Sequence, residues 1–335
     1  MKFLKRLAYL IYYIRETDFN QLGTVLRYTR DLTGRSRFNI SADVLQSVFK
    51  YNISLKDYFC FRFFEKDKAE RANWAGTGFM YEYQLIMNPA SAREVLADKI
   101  QFLRYFKRYC IRRFLSMEEI VSDRSRLESM LNSSNARLVL KGSHGQVGAE
   151  VEVIDCKQYS IDSLINYMRK KKFDLVEEYV IQHSALMELS PSGLNTVRIF
   201  TQLHNGEVEF LGARLRVSVN SPVDNMAAGN LAAPVNIETG IVDGPGVFSD
   251  ITKNEMSVHP VTGKRILGFT IPYWREVTSL AKEAALANPG NRSVGWDIAI
   301  KESGPELIEG NHNWCKLLWQ LPVKRGLKSE LEKYI

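Results

Sequence analysis

The sequence predicts an α+β fold rather than a doubly wound one, and three observations carry that prediction. The first ninety residues place apolar and aromatic side chains at helical spacing, with few glycines and a single proline, Pro89. After Asn135 the period changes to short β-rich runs separated by glycine-bearing turns. Further on come strand-like runs with one long amphipathic helix among them, and no repeat or low-complexity tract interrupts the order.

Each element follows from its residues. Residues 1–90 form an N-terminal helical region. In Ala92–Leu115, "AREVLADKIQFLRYFKRYCIRRFL", apolar positions at Leu96, Ile100, Leu103, Phe106, Cys110 and Phe114 predict a helix with Arg104, Lys107, Arg108 and Arg112 on a solvated basic face. "ARLVLK" and "AEVEVI" are strands on either side of "GSHGQVG", and "SIDSLINYMRKKK" is a helix started by Ser160 or Asp162. "DLVEEYVIQ" ends in a connector. "NTVRIFTQL", "VEFLGARLRVSV", "APVNIET" and "VGWDIAI" follow as strands of a mostly antiparallel sheet. The helix "WREVTSLAKEAALA" precedes the last of these and stops at "NPGN". The turn "KESGPE" then makes a hairpin of "VGWDIAI" and "ELIEGN". The expected division is 1–90, 91–176 with a Gly-rich flap, and 177–335.

Composition sets the outer limits. A chain of 335 residues with 45% hydrophobic and 25% charged residues buries a substantial core. Its net charge of +7 favours an anionic partner: nucleotide phosphates, acidic polysaccharide, nucleic acid or an anionic membrane face. Nucleic acid is disfavoured, because the basic residues lack interleaved stacking aromatics or a known reader fold. Cys60, Cys110, Cys156 and Cys315 stand far apart with no CxxC pair, which fits neither a disulfide framework nor a zinc site and points to a cytoplasmic setting. The run Leu7–Ile14 is too short to span a bilayer. It is either an interfacial helix, with Lys2, Lys5 and Arg6 near headgroups in a peripheral contact with the inner membrane face, or an amphipathic helix packed on the domain.

Three stretches carry chemistry. In "PELIEGNHNW", strand alternation puts Glu309 and Asn311 on one face, and the hairpin brings Asp297 opposite one of them; the register is open between the two. Facing carboxylates repel unless a cation lies between them, and two acids with an amide suit a hard divalent ion such as Mg²⁺. In "LVLKGSHGQVG", Lys141 is followed by Gly142, Gly145 and Gly148, a pattern that serves either as a flap over a polyphosphate or as a plain Gly-rich hairpin. It is neither a Walker A loop nor GxGxxG. Arg214 and Arg216 share a strand face by period two, and with Arg198 they form either an anion clamp or an outer sheet face.

Taken in order, "ADKIQF", "LVLKGSHGQVG", "LVEEYVIQHSALMELSPSGLNTVRIFTQL", "GARLRVSVNSPVDNMAAGNLAAPVNIETGIV" and "VGWDIAIKESGPELIEGN" resemble the ATP-grasp superfamily, and within it the sugar-transfer-associated family found with polysaccharide biosynthesis. The resemblance implies two α+β subdomains clasping ATP. It places Lys99 and Lys141 on the nucleotide phosphates, with Gly142, Ser143, His144, Gly145 and Gly148 in the covering flap. Glu177, Glu178, Tyr179 and Val180 become the hinge that holds adenine, His183 or Glu188 the ribose ligand, and Asp297, Glu309 and Asn311 the Mg²⁺ ligands. Arg198, Arg214 and Lys141 face the transferring phosphate or an acceptor carboxylate, and the loop ending at Asn230 closes over the site. His312 is either a group that meets substrate or a surface residue, the latter favoured. The implied activity is an ATP-dependent carboxylate–amine ligation through an acyl phosphate, its partners an acid, small or polysaccharide-linked, and an amine. A sugar kinase and a nucleotide-binding scaffold of a glycosyltransferase complex are the alternatives.

Overall fold

A computed structural model of the chain describes residues 2–133, 136–144 and 151–335. Nine strands form two antiparallel sheets among these residues. The first contains β1 (Phe114–Ser116), β2 (Arg137–Lys141), β3 (Val151–Asp155) and β4 (Leu175–Glu178), in the order β1-β4-β2-β3. The second contains β5 (Thr196–His204), β6 (Glu207–Val217), β7 (Leu231–Val235), β8 (Ser293–Lys301) and β9 (Gly304–Asn311), in the order β7-β6-β5-β8-β9. The α+β expectation therefore holds.

Local chemistry explains the hairpins. Asn205 and Gly206 join β5 to β6 with φ of 51° and 82°, the positive values a two-residue turn of matching twist requires. Lys301 pairs with Gly304 across a two-residue turn between β8 and β9. An even loop alone would set Asp297 against Ile308. A bulge between Asp297 and Ile298 shifts the ladder by one residue, so that Asp297 faces Glu309 and Gly295 faces Asn311.

The two faces of the larger sheet have different fates. Val197, Ile199, Leu215, Trp296 and Ile298 point into a core shared with helix Trp274–Ala287, whose Val277, Ala281 and Ala284 pack beneath them. The alternate positions, Arg198, Arg214, Arg216, Asp297 and Glu309, lie on the other face. A second core joins the smaller sheet to helices Arg124–Leu131 and Ile161–Lys171 through Leu138, Leu140, Leu164 and Met168. Two more clusters mix the N-terminal helices with the end of the chain: Tyr58, Phe61 and Trp74 with Leu317, and Tyr83 and Met87 with Trp314 and Trp319.

Two sequence expectations change. The periodic stretch Ala92–Leu115 is not one helix: Ala90–Ala97 ends, Asp98 caps a new helix by accepting from the amides of Ile100 and Gln101, and Lys99–Tyr105 gives way to a turn and an irregular segment leading to β1. Arg112, read as solvated, is 6% exposed in that segment. The N-terminal helix Lys2–Arg15 packs Tyr9, Leu10 and Tyr13 inward and leaves Leu7, Ile11, Tyr12 and Ile14 exposed. No helix among the described residues is long and apolar enough to cross a membrane.

Candidate active site

The shifted ladder brings opposite charges together on the free face of the larger sheet. Asp297, 2% exposed, accepts from Arg198 Nε at Oδ1 and from Arg198 Nη2 at Oδ2, the latter at 2.7 Å. Arg216 Nη1 reaches Oδ2 as well, at 2.7 Å, and its Nη2 lies 2.8 Å from Asp224 Oδ1. Burial alone raises the Asp297 pKa, but the two guanidinium groups outweigh it and hold the carboxyl well below the usual range. Glu309, whose side chain is 43% exposed, has Arg198 Nη2 at 4.0 Å and the Asn311 amide at 3.3 Å, and shares a hydrogen bond with the facing Asp297. Its pKa is pushed up, first by burial and then by the charge of Asp297. Of two facing acids, one is neutralised by arginine and the other is short of positive charge.

The smaller sheet supplies the facing wall. Glu177 at the end of β4 is buried between Arg112, which donates to it from Nε, and Lys141, whose Nζ lies 2.9 Å away. Burial pushes its pKa up, yet Arg112 and Lys141 bring it to about 2. Arg112 also donates to Glu306 at 3.0 Å and to the Leu307 carbonyl at 2.8 Å, tying the strand to the larger sheet. Lys99 Nζ donates to the carbonyl of Gly142 at 3.0 Å, and the Ser143 amide and hydroxyl both donate to Asp174 at 2.6 Å. His144 is exposed, 3.6 Å from Asp98. Glu178 pairs with Arg113 at 2.6 Å, and the Arg137 guanidinium sits 4.6 Å from the Tyr179 ring centre. Between the walls lies a cleft of about 510 Å³, onto which Lys99, Lys141, Glu177 to Val180, Arg198, Asp297, Glu309 and Asn311 all open.

Residues 79–334 match the model of the sugar-transfer associated ATP-grasp family. The chain belongs to that family. No curated protein matches it. Among solved structures, it is similar to the carboxyaminoimidazole ribonucleotide synthase of Aspergillus clavatus complexed with ATP, with 13% identity, a TM-score of 0.41, and coverage of 67% of this chain and 47% of that one. It is also similar to D-alanyl-alanine synthetase A from Vibrio cholerae, with 10% identity, a TM-score of 0.42, and coverage of 70% and 60%. A third is the ATP-grasp ligase PsnB complexed with a phosphomimetic precursor variant, Mg and ADP, at 13% identity, a TM-score of 0.43, and coverage of 76% and 66%. The chain thus spans between about half and two thirds of these proteins, and at such scores the assignment rests on the family match alone.

Not every residue expected from the ATP-grasp resemblance reaches the cleft. Arg214 does not line it. Its guanidinium turns instead to the backbone carbonyls of Trp319, 3.1 Å from Nε, and Ala213, 2.6 Å from Nη1, and burial pushes its pKa down to about 9. His183 caps helix Ser184–Leu189, accepting from the Ala185 amide at 3.1 Å, and Glu188 is an exposed partner of Lys264 at 3.1 Å; neither lines the cleft. Asn230 is fully buried and works from behind. It accepts from the Val219 amide at 2.8 Å and donates to the carbonyls of Val223 and Asn225 at 2.7 and 2.9 Å, holding the loop whose residues Pro222 to Ala227 do line the cleft. His312 also lines it, half-buried rather than at the surface, and burial lowers its pKa. Gly145 and Gly148 lie outside the described residues.

Sequence reading missed Arg112 and Asp224 as members of the site, and named Arg216 only within an anion clamp or an outer sheet face. Arg216 had a signal, its period-two relation to Arg214, but nothing in the period says which of the two reaches the cleft. Asp224 has none apart from lying in a loop rich in Asn, Ser and Pro.

Proposed function

We propose that this ATP-grasp protein is an ADP-forming carboxylate–amine ligase acting on a sugar acid in the assembly of surface polysaccharide. The observation that carries the reading is the convergence of the Asp297, Glu309 and Asn311 face with Lys99 and Lys141 on one cleft. Cationic groups on both walls suit a triphosphate, and Glu177 to Val180 at the cleft edge offer main-chain and apolar contacts to a base.

The donor set also fits Mg²⁺. Among the described residues no cluster of three or more His, Cys, Asp or Glu side chains is arranged to hold a metal. An ion that takes two acids, one amide and the remaining ligands from phosphate needs no such cluster. Glu309 is the acid open to the cleft and deficient in positive neighbours. Asp297 has a further lone pair at Oδ1, and Asn311 directs its amide nitrogen to Glu309 and Gly295, which leaves its oxygen for a ligand. Bound there, Mg²⁺ supplies charge neutralisation and a template for the terminal phosphates.

In the reaction proposed, a carboxylate oxygen attacks the γ-phosphorus and the bond to the β,γ-bridging oxygen breaks, releasing ADP. An amine nitrogen then attacks the acyl carbon, inorganic phosphate leaves, and the nitrogen loses a proton. The chain's own part is positioning and charge. In this reading Arg198 and Arg216 offset the charge that is transferred, and among the described residues the buried Nε–H of Arg216 has no hydrogen-bond partner, a donor in want of an acceptor. Lys141, held 2.9 Å from Glu177 on the cleft lining, is the lysine assigned to the phosphates in this reading.

The test is release of ADP and phosphate across sugar acids paired with amino acids and other amines, with mass analysis of products. Ligation predicts free phosphate only when acid and amine are both present. Phosphate retained on a sugar would transfer the assignment to a kinase, and ATP binding without turnover across the panel would favour a scaffold.

A further inference from the structure

The family match starts at residue 79, so helix Leu55–Cys60 lies outside it, yet this helix reaches the cleft. It is pinned from two sides. Asp57 Oδ1 pairs with Lys316 Nζ at 3.0 Å, beside Cys315. Cys60 Sγ approaches the Ser249 carbonyl at 3.8 Å, and the Ser249 hydroxyl donates to the Met226 carbonyl at 3.1 Å. Lys56 is therefore fixed between the loop that carries Met226 and the segment that carries Cys315, and all three side chains line the cleft.

Lys56 differs from the other cations there. Arg112, Lys141, Arg198 and Arg216 are each paired with a carboxylate, and Lys99 donates to the Gly142 and Ser143 carbonyls. Among the described residues, no ion pair engages Lys56, which stands exposed on the cleft wall. Met226, Leu317 and Leu318 give the same cleft apolar lining. A cation with no ion pair, in a cleft whose other cations are each engaged by protein oxygens, is a recognition element for an anion carried on a larger molecule.

We propose that Lys56 forms the binding subsite for an anionic group, phosphate or carboxylate, on the acceptor molecule, and that the N-terminal helices thereby determine which acceptor enters. Only the word acceptor rests on the ligase reading; the anion subsite stands apart from it.

The chain carries its own reporter for this subsite. Cys60, Cys110 and Cys156 are buried, whereas Cys315 is exposed and opens onto the same cleft. The full chain would be labelled with dithiobisnitrobenzoate, a dianion, and with neutral iodoacetamide. The ratio of the two rates cancels a change in thiolate fraction, since both reagents react with the thiolate. In Lys56→Gln the anionic-to-neutral ratio should fall by roughly threefold to tenfold, because one attracting charge is gone. Cys315→Ser should abolish the fast labelling. Glucose 1-phosphate and glucuronate, tested separately to distinguish phosphate from carboxylate, should slow labelling of the wild type but not of Lys56→Gln, and glucose should protect neither.

An unchanged rate ratio, or protection by glucose equal to that by both anions, would overturn the proposal. Labelling needs no nucleotide. Absent ATP turnover would count against the ligase and leave the subsite intact, whereas lost charge selectivity in a protein that still turns over ATP would remove only the subsite.

Discussion

At the scale of single residues, the two acids of the β8–β9 hairpin should respond differently to losing their charge. Glu309 is partly exposed and weakly paired, so Glu309→Gln is expected to keep the fold and its melting temperature while ATP turnover falls on the order of a hundredfold or more. Turnover at the wild-type rate would remove Glu309 from the metal-binding role. Asp297→Asn is a poorer probe, because it strips charge from a carboxylate that holds two buried guanidinium groups. Urea denaturation should show it less stable by about 3–5 kcal/mol, the cost of leaving buried charge uncompensated. Glu177 provides a pH signature. Its folded pKa, about 2 against an ordinary 4.5, means that its contribution is complete above pH 4.5 and fades as pH falls toward 2. Stability measured across that interval should decline less steeply in Glu177→Gln than in the wild type.

At the scale of elements, legibility followed the range of the interaction that fixes each feature. Strands β2, β5, β6 and β8 were legible because alternation and turn residues are local properties. The parity of β8 against β9 was not, since the bulge that sets Glu309 opposite Asp297 depends on how both strands meet their neighbours. The same holds for Arg112: helical spacing through Cys110 concealed a chain that leaves the helix after Tyr105 to place one arginine between Glu177 and Glu306. Arg214 and Arg216 have equal standing on a strand face, and the carbonyl of Trp319, over a hundred residues away, claims the first. A glycine in β8 tests how tightly this face is assembled. A methyl added at Gly295 would come within 2.8 Å of Trp314 Cβ and 3.1 Å of Arg198 Cδ. Gly295→Ala is therefore expected to lose about 1–3 kcal/mol of stability to overpacking and to reduce turnover further by displacing Arg198 from Asp297. Denaturation together with ADP release at saturating ATP checks both halves, and full activity would mean that Arg198 has no fixed position to lose.

At the scale of the whole molecule, the helices before residue 79 and the catalytic lobes fold as one body, because the N-terminal core is closed by the other end of the chain. Leu317 belongs to the cluster of Ile53, Tyr58, Phe61 and Trp74. Gln320, fully buried, donates to the Ala75 carbonyl at 3.0 Å and accepts from its amide at 2.9 Å. Lys316 has Asp57 as its counter-ion at 3.0 Å. Removing residues 1–76 would take that cluster away, uncover Leu317, Ile251 and Leu321 that pack against it, and leave an amide and an ammonium group without their buried partners, each omission costing about 1–3 kcal/mol or more. Such losses are comparable with the total stability of a domain, on the order of 5–15 kcal/mol. A chain beginning at residue 77 should therefore be recovered aggregated, or as a species that binds a hydrophobic dye and melts without cooperativity. The intact chain should unfold in one transition, with tryptophan fluorescence and far-ultraviolet dichroism coinciding, since Trp74, Trp314 and Trp319 report on the shared cores while the dichroism reports on every helix and sheet. Two resolved transitions, or a cooperative melt of the shortened chain, would show that the catalytic lobes stand without the helices; Lys56 would then sit on a detachable appendage instead of a wall of the cleft.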